Sequence, residues 1–547
     1  MTWRAEVKTA DAIAEILRRE RVEWLIGYPV NHVIEAAAKL GIRPIIVRQE
    51  RTGLHMADAI SRLTSGEKIG VFCMQSGPGT ENSFGGIAQA WSESVPILVL
   101  PGGYSRTQAW VERNFHASVQ MRAIAKSAEP LSSAKDIPAV LRRAFSRLRA
   151  GRGGPALVEI PADVWSEEID SITYSPPARL RSGPDPEGVR EAARLLVNAR
   201  RPVIYAGQGV HWARAWTELL HLAEMLAIPV CTSLSGKSAF PEDHCLALGA
   251  GGVAMPASVH HFLHEADLIF GIGCSFTETA FGVAMPAGKT IVHATLDESD
   301  VNKNLGCALA LLGDAKLVLQ AIIEQIQRQH GAGRDIEPVA CAIEAVNRPW
   351  REKWLAKLTS DERPMTPYRV IYELMRTLDV ANTIITHDAG SPRDQLTPFW
   401  KSTTPLSYIG WGKSTQLGYG LGLAMGAKLA CPDRLCVNVW GDAAIGFTGM
   451  DFETAVRERI PILSILFNNF SMAIELKVMP VSTERYRSTD ISGDYAAFAR
   501  ALGGYGERVE DPDDIVSAIG RGVAATRAGK PALLEFITCK ETAISRF

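Results

Sequence analysis

The stretch GDAAIGFTGMDFETAVRERIPILSILFNN, residues 441–469, carries a polar pair at the end of each of two apolar runs. The run LCVNVW ends at Gly441 and Asp442, and the run PILSILF ends at Asn468 and Asn469. The helical pattern MDFETAVRER lies between the two runs, which predicts parallel strands joined by a right-handed helical crossover. Ligands of an open parallel sheet bind at the carboxyl ends of its strands. We therefore expect Asp442 and Asn469 to meet at one edge of the sheet.

A carboxylate and an amide in this position indicate a site for a divalent ion. Their oxygens suit Mg²⁺ or Ca²⁺ better than zinc, and so few protein ligands leave room for phosphate oxygens. The small residues Ala443, Ala444 and Gly446 let backbone N–H groups approach a diphosphate where the next helix begins. Gly441 is a further candidate for cofactor binding. Each polar pair alone is typical of a turn. The two pairs together, at this spacing and at two strand ends, are a more specific signal of an ion site.

Alternating strand and helix patterns along nearly the whole chain predict an α/β fold with parallel sheets covered by helices. Two breaks rich in proline, glycine and charge, near 165–190 and 328–338, divide the pattern. We predict three consecutive doubly wound parallel-sheet domains, over residues 1–170, 188–330 and 360–547.

The composition is that of an ordinary globular protein. The 547 residues are 46% hydrophobic and 22% charged, with a formal net charge of -2, so no nucleic-acid partner is expected. The first twenty residues lack the apolar core of a signal peptide, and no apolar run is long enough to span a membrane. We expect a cytoplasmic protein without a membrane partner. The nine cysteines form no CxxC pair, which is typical of reduced thiols.

The segment from Asp442 to Asn469 resembles the thiamine diphosphate motif of acetolactate synthase-like and pyruvate decarboxylase-like enzymes. The resemblance extends over essentially the whole chain. It implies that Asp442, the side chain of Asn469 and the carbonyl of Ser471 hold Mg²⁺, which holds the diphosphate of the cofactor. It also implies a pyrimidine-binding first domain, a central nucleotide-type domain and a diphosphate-binding third domain.

Other segments resemble further parts of this family's cofactor site. IIVRQERTGLHMADAISRL matches the strand, glutamate and helix that activate the aminopyrimidine ring, which implies that role for Glu50; the residue alone is typical of a helix-capping acid. MQSGPG places Gln75 near the thiazolium, although a buried core amide is the alternative. STQLGYG places Leu417 under the bent cofactor, where a core leucine would look the same. DAGSPRDQ implies diphosphate contacts from Gly390 and Ser391.

Four residues are implied to act on the substrate. In NNFSMAIE, Ile474 and Glu475 match an active-site pair of decarboxylases, although an exposed helical glutamate is the alternative. In IGYPVNHV, Asn31 stands where decarboxylases have an acid and acetolactate synthases a glycine. In NFHASVQ, His116 matches a substrate-facing histidine or glutamine, or is a solvent histidine.

The resemblance leaves the ligand of the central domain open. Relatives hold FAD, or ADP or coenzyme A parts, in this domain, and Asp297 in VHATLDESD is the candidate ribose contact. The segment GCSFTETAFG, residues 273–282, replaces the arginine-bearing segment associated with flavin binding. FAD or an ADP or coenzyme A group is therefore compatible with the family but not expected here.

The overall likeness implies a thiamine-dependent transferase or lyase. Carboligation after decarboxylation of a 2-oxo acid is the first hypothesis. A simple 2-oxo acid decarboxylase, a lyase of 2-hydroxyacyl-CoA or oxalyl-CoA, and an inactive regulatory homologue are the alternatives. Relatives build each site from two subunits, so we expect a homodimer or homotetramer in which Glu50 and Asp442 come from different chains.

Overall fold

The computed structural model describes residues 7–330 and 333–547. These residues form three six-stranded sheets, each wholly parallel, and one small antiparallel pair. The first sheet and the small pair contain β1 (Val7–Lys8), β2 (Trp24–Gly27), β3 (Arg43–Ile46), β4 (Gly70–Met74), β5 (Ile97–Gly103), β6 (Ser127–Pro130), β7 (Ala156–Pro161) and β8 (Glu168–Ile169).

The second sheet contains β9 (Pro202–Ala206), β10 (Val230–Ser233), β11 (Ala247–Gly251), β12 (Leu268–Ile272), β13 (Thr290–Thr295) and β14 (Leu309–Leu312). The third sheet contains β15 (Thr383–His387), β16 (Tyr408–Ile409), β17 (Leu435–Gly441), β18 (Leu463–Asn468), β19 (Tyr505–Val509) and β20 (Ala532–Ile537). The predicted class, α/β with three consecutive parallel-sheet domains, is confirmed.

Helices follow most strands, as the sequence pattern predicts. They are α1 (Thr9–Arg19), α2 (His32–Lys39), α3 (Glu50–Leu63), α4 (Pro78–Ser92), α5 (Ala117–Gln120), α6 (Ile137–Arg149), α7 (Pro186–Asn198), α8 (Gly209–Ala213), α9 (Trp216–Leu226), α10 (Ala257–Glu265), α11 (Ala315–His330), α12 (Glu337–Leu358), α13 (Pro367–Thr377), α14 (Ser391–Leu396), α15 (Tyr419–Ala430), α16 (Asp442–Thr448), α17 (Phe452–Arg457), α18 (Pro480–Tyr486), α19 (Tyr495–Ala501) and α20 (Ile515–Arg527). Within the described ranges, every helix is too short or too polar to cross a lipid bilayer.

The chain forms two compact units. The first contains the first sheet, up to residue 180, together with residues 421–432 and 448–460. The second contains the other two sheets and the rest of the described chain. Each predicted domain range contains one whole sheet, but the predicted boundaries themselves stay a prediction.

The first and third sheets share one strand order. The orders are β3-β2-β4-β5-β7-β6 and β16-β15-β17-β18-β20-β19, which are the same when the strands of each sheet are counted from its start. The direction of the winding reverses between β2 and β4 in the first sheet and between β15 and β17 in the third. Open α/β sheets bind ligands at such a reversal point. The second sheet has the different order β11-β10-β9-β12-β13-β14, which is that of dinucleotide-binding folds.

Glycines in α15 allow it to lie close to α3 in the first unit. A Cβ atom at Gly422 would be 2.7 Å from the carbonyl oxygen of Thr52, and one at Gly426, a turn later, would be 2.8 Å from the Cα of Met56. Such distances are shorter than real Cβ contacts, so only glycine fits at these positions. This packing buries α3 along nearly its whole length and fixes its first residue, Glu50.

Candidate active site

The ends of β17 and β18 meet in the second unit around the carboxylate of Asp442. Asp442 Oδ2 accepts the backbone N–H groups of Asn469, at 3.1 Å, and Ser471, at 3.2 Å. Its Oδ1 accepts the N–H of Ala443 at 2.9 Å, and the side-chain oxygen of Asn469 accepts the N–H of Ser471 at 3.0 Å. The right-handed crossover has therefore brought the two strand ends together, as its geometry requires.

This cluster has the properties of a site for a cation. Asp442 is 4% exposed, and burial raises the pKa of its carboxyl to about 6 even though backbone N–H groups lower it. In the described part of the chain no basic side chain pairs with it, and the buried hydroxyl of Ser471 has no hydrogen-bond partner. A buried carboxylate without a counter-charge fits a hard divalent ion that also binds amide and carbonyl oxygens.

A second turn lies beside this cluster, at the reversal point of the third sheet. It follows β15, and Gly390, with φ of +80°, precedes the start of α14 at Ser391. A Cβ atom at Gly441 would contact Pro392, at 3.8 Å, which shows how close the turns after β15 and β17 are. Ile474 also reaches this turn, since its Cδ1 would be 3.7 Å from a Cβ at Gly390. These residues of the second unit therefore share one crevice.

The loop that carries Leu417 is fixed by a buried acid, Asp388. Asp388 Oδ1 accepts the N–H of Gly418 at 2.9 Å, and Oδ2 accepts the N–H of Gly420 at 2.9 Å. Oδ1 also accepts the N–H of Ala389, so the carboxylate joins the end of β15 to the start of α15. Burial raises the pKa of this carboxyl to about 6. Leu417 itself is half-buried beside this joint.

The remaining predicted residues of the second unit lie around the same strand ends. Ala443 and Ala444 are in the first turn of α16, one half-buried and one buried, where backbone N–H groups begin the helix. Ile474 is 46% exposed, and Glu475, the first residue of a short 3-10 helix, is also exposed. Their side chains are thus open to a ligand rather than packed in the core.

In the first unit, Glu50 is the first residue of α3 and is only 4% exposed. Burial raises the pKa of its carboxyl, the nearby Asp451 raises it further, and a hydrogen bond from Asn82 lowers it. A Cβ at Gly79 would lie 3.5 Å from Glu50 Oε1 and 2.9 Å from Cγ of Gln75, so the SGPG turn packs directly beside the carboxylate. A buried carboxylate with a raised pKa is the form that a proton-handling residue takes.

The three other predicted residues of the first unit lie in the segments that follow β2, β4 and β5. The Asn31 side chain caps α2 by accepting the N–H of Val33, and its amide donates to the carbonyls of Met74 and Leu100 at 3.0 Å each. It thus joins the start of α2 to β4 and β5 with all its hydrogen-bonding atoms. Gln75 is half-buried directly after β4. His116 precedes α5 and stacks on Trp110, and its buried Nε2 has no hydrogen-bond partner.

The reversal point of the central sheet is occupied by the chain itself. The N–H of Gly209 donates to the carbonyl of Gly273 at 2.8 Å, and a Cβ at Gly207 would be 2.7 Å from Cβ of Cys274. The glycines after β9 therefore let two turns of the protein pack together. Asp297 caps a 3-10 turn by accepting the N–H of Ser299. The expectation that this domain holds no FAD, ADP or coenzyme A group stays a prediction.

Sequence reasoning missed three polar residues that organise the site. Asp388 follows an apolar strand as Asp442 does, so the pattern of an acid at a strand end could have identified it. Glu535 is fully buried, accepts the side-chain amide of Asn468 at 2.7 Å and so supports the end of β18. It lies inside the apolar strand β20, and Asn82 lies inside α4, where no sequence signal distinguishes them.

Three domain families match the chain in the expected order. The family described as thiamine pyrophosphate enzyme, N-terminal TPP binding domain, matches residues 7–122; the central domain matches residues 189–322; and the C-terminal TPP binding domain matches residues 388–536. Thiamine pyrophosphate is another name for thiamine diphosphate. The last match contains Asp388, Asp442 and Asn469, and the first contains Glu50.

Curated relatives are similar over almost their full length. A probable acetolactate synthase large subunit of Methanocaldococcus jannaschii is 30% identical over 97% of this chain and 92% of its own length. Its counterpart from Methanococcus aeolicus is 29% identical, over 98% and 93% of the two chains. The acetolactate synthase isozyme 3 large subunit of Escherichia coli K12 is 28% identical, over 95% and 92%. The chain therefore belongs to the thiamine pyrophosphate enzyme family and is an acetolactate synthase-like enzyme with thiamine diphosphate as its cofactor.

Proposed function

We propose that this enzyme joins two 2-oxo acids, releasing CO₂ from the first and transferring the remaining acyl carbon to the second. The observation that carries this proposal is the pair of Asp442 and Asn469 at adjoining strand ends, in a chain similar to acetolactate synthases over its whole length. Retention of Glu50 as a buried acid supports an active enzyme rather than an inactive regulatory homologue.

The geometry of the second unit supports the binding roles that the family resemblance implies. Asp442, the side chain of Asn469 and the carbonyl of Ser471 would hold Mg²⁺, and the turn at Gly390 and Ser391 would contact the diphosphate. Gly441, Ala443 and Ala444 would let the backbone approach the phosphate oxygens. Asp388 would hold the loop of Leu417, which would support the cofactor. When bound, thiamine diphosphate supplies a carbon nucleophile that adds to a 2-oxo group and accepts the electrons left by departing CO₂.

Glu50 would hold the proton at the pyrimidine end of the site. Its burial favours the protonated carboxyl. Gln75 and His116 would contact the substrate, and Ile474 and Glu475 of a second copy of the chain would face it. Asn31 would act by fixing the end of β4 beside Gln75, since its own side chain is fully hydrogen-bonded.

The reaction is tested with a panel of substrates. The holoenzyme is incubated with thiamine diphosphate, Mg²⁺ and either single 2-oxo acids, pairs of 2-oxo acids, or 2-hydroxyacyl-CoA and oxalyl-CoA, and CO₂ and carbon products are measured. We expect CO₂ release with a 2-hydroxy-2-alkyl-3-oxo acid as product from the 2-oxo acids. Aldehyde alone would indicate a simple decarboxylase, and turnover only with the acyl-CoA compounds would indicate the lyase; either result contradicts the proposal.

We further propose that the active site is shared between two copies of the chain. Each unit exposes large apolar side chains. In the first unit Phe84 and Trp91 on α4 are 50% and 43% exposed, and in the second Phe447 and Val478 are 47% and 79% exposed. Surfaces of this kind are typical of subunit interfaces, which supports a homodimer or homotetramer.

A further inference from the structure

The crossover between β17 and β18 contributes residues 448–460 to the first unit. Arginine contacts hold this segment against β3 and the turn that follows it. Arg43 of β3 donates to the carbonyl and to the carboxylate of Glu458, at 2.9 and 3.0 Å. The segment therefore lies at the start of α3, whose first residue is Glu50.

Asp451, in this segment, holds the turn that leads into α3. The residue before the helix, Gln49, makes no capping hydrogen bond with its own side chain. Asp451 Oδ1 instead accepts the N–H of Arg48 at 2.7 Å, and the N–H of Gln49 also lowers the pKa of this carboxyl. The hydroxyl of Thr454 donates to the same oxygen at 2.9 Å. Asp451 thereby fixes the backbone directly before Glu50.

Asp451 also acts on Glu50 through its charge. Asp451 is fully buried and Glu50 is 4% exposed, and neither has a basic partner among the residues that the structure describes. Burial raises the pKa of both carboxyls, but more hydrogen-bond donors lower the pKa of Asp451 than that of Glu50. Two neighbouring buried carboxyls cannot both be charged without a large cost in free energy. The negative charge therefore belongs to Asp451 and the proton to Glu50.

We propose that Asp451 is a positioning residue for Glu50, which it holds at the start of α3 and keeps in the protonated form. The inference rests on the proposed function, because it concerns the proton that Glu50 is proposed to hold for the cofactor. The crossover that contains Asp451 begins at Asp442. One segment of the chain thus carries both the proposed ion ligand and the residue that acts on Glu50.

The protonation of Glu50 can be measured in the apoprotein. Infrared difference spectra between a protein and the same protein with Glu50→Gln isolate the band of this carboxyl. Among the described residues the charge that acts on Glu50 is that of Asp451, and α4 faces it with the neutral Asn82. Asp451→Asn keeps an oxygen for the N–H of Arg48 but removes the charge. The pH at which Glu50 is half protonated should therefore fall by at least about 0.5 pH units. An unchanged or higher midpoint would overturn the proposal.

In the holoenzyme, exchange of the C2 proton of thiamine diphosphate with deuterium oxide reports the action of Glu50 without any substrate. NMR of quenched samples measures its rate. Asp451→Asn should slow the exchange at least about threefold, while the calorimetric affinity for the cofactor changes less than about twofold. Asp451→Ala also removes the hydrogen-bond acceptor and should slow the exchange at least about tenfold. A residue that only supports the turn would leave Asp451→Asn at the wild-type rate, and that result would overturn the proposal.

Thr454→Val is a milder variant, which serves if the Asp451 variants fail to fold. It removes one hydrogen-bond donor from Asp451 and leaves the carboxyl in place. The charged form of Asp451 is then less favoured, so the midpoint of Glu50 should fall and the exchange should slow, both by less than in Asp451→Asn. A change in the opposite direction would overturn the proposal.

Asp314→Asn is the matched control. Asp314 is 2% exposed and accepts the N–H groups of Lys316 and Leu317 where α11 begins in the second unit. Its exchange rate should stay within about twofold of the wild-type rate. An equal slowing in Asp314→Asn and Asp451→Asn would indicate a general effect of losing a buried charge and would overturn the proposal.

A double variant tests whether Asp451 acts through Glu50. If it does, combining Asp451→Asn with Glu50→Gln should slow the exchange no more than Glu50→Gln alone. Independent effects would multiply and would overturn the positioning role.

These measurements separate the inference from the proposed function, because neither uses a 2-oxo acid. A substrate panel without carboligation would contradict the proposed function and leave the infrared and exchange results as they are. Wild-type behaviour of Asp451→Asn in both measurements would contradict the inference and leave the carboligation in place.

Discussion

At the scale of single residues, Glu50 and Asp388 are both carboxylates buried without a basic partner in the described part of the chain. Asp388 accepts three backbone N–H groups, so its oxygens are occupied by the fold itself. Glu50 instead has the side-chain amide of Asn82 as a hydrogen-bond partner. The difference supports a structural role for Asp388 and the proton-handling role that we propose for Glu50.

Glu50→Gln should abolish most turnover while the cofactor remains bound. The amide preserves shape but cannot exchange a proton, and general acid–base groups contribute roughly 100- to 10,000-fold to rates. Steady-state CO₂ release and calorimetric titration with thiamine diphosphate measure the two properties. Undiminished turnover would remove Glu50 from the mechanism.

The stability of the apoprotein should depend on pH through Asp388. Its carboxyl has a pKa of about 6 when folded, above the ordinary value of 3.8. The folded state therefore binds more protons between these values, and the stability contributed by this group falls as pH rises from about 4 to 6, by up to about 3 kcal/mol.

Asp388→Asn cannot titrate, so the stability advantage of the wild-type protein over this variant should shrink across that pH range. Denaturant unfolding of both proteins at several pH values measures the difference. A constant difference between the two curves would contradict a raised pKa for Asp388.

At the scale of elements, the contact of α3 with residues 421–430 of α15 holds Glu50. Gly426→Ala should destabilise the protein by about 1–3 kcal/mol, because the added methyl meets the backbone of α3. Gly520→Ala is the matched control, since Gly520 is also inside a helix, α20, and a Cβ there meets nothing within 4 Å. That change should stabilise by up to about 1 kcal/mol. Equal shifts of the unfolding midpoint would contradict the close packing.

The strand ends around Asp442 could be predicted because a crossover rule and a polar pair at each strand end both appear in the sequence. The parallel sheets could also be predicted, because strands buried on both faces, such as β4 and β18, are continuous apolar runs. The order of the strands within each sheet could not be predicted, because no local sequence pattern indicates which strands are neighbours. Glu535 was missed for the same reason: it lies in an apolar strand, and its partner, Asn468, is distant in the chain.

At the scale of the whole molecule, the shared site predicts complementation. Glu50→Gln and Asp442→Ala should each be inactive, but a mixture refolded together should recover about a quarter of wild-type activity if the site takes Glu50 from one subunit and Asp442 from the other. Half of the dimers are then mixed, and each mixed dimer has one intact site. Turnover by a species that sediments at the chain mass of 59.4 kDa, or no recovery on mixing, would contradict a shared site.

The binding of thiamine diphosphate by a divalent ion at Asp442 is tested most directly by isothermal titration calorimetry. The cofactor is titrated into wild-type and Asp442→Ala protein with Mg²⁺ or with a chelator. We predict that the wild-type protein binds the cofactor tightly only when Mg²⁺ is present. Asp442→Ala, with Mg²⁺ or with the chelator, should bind the cofactor at least about 100-fold more weakly than the wild-type protein does with Mg²⁺. If the wild-type protein bound the cofactor equally well with Mg²⁺ and with the chelator, an ion site at Asp442 would be contradicted. Equal affinities of the wild-type protein and Asp442→Ala in Mg²⁺ would contradict it as well.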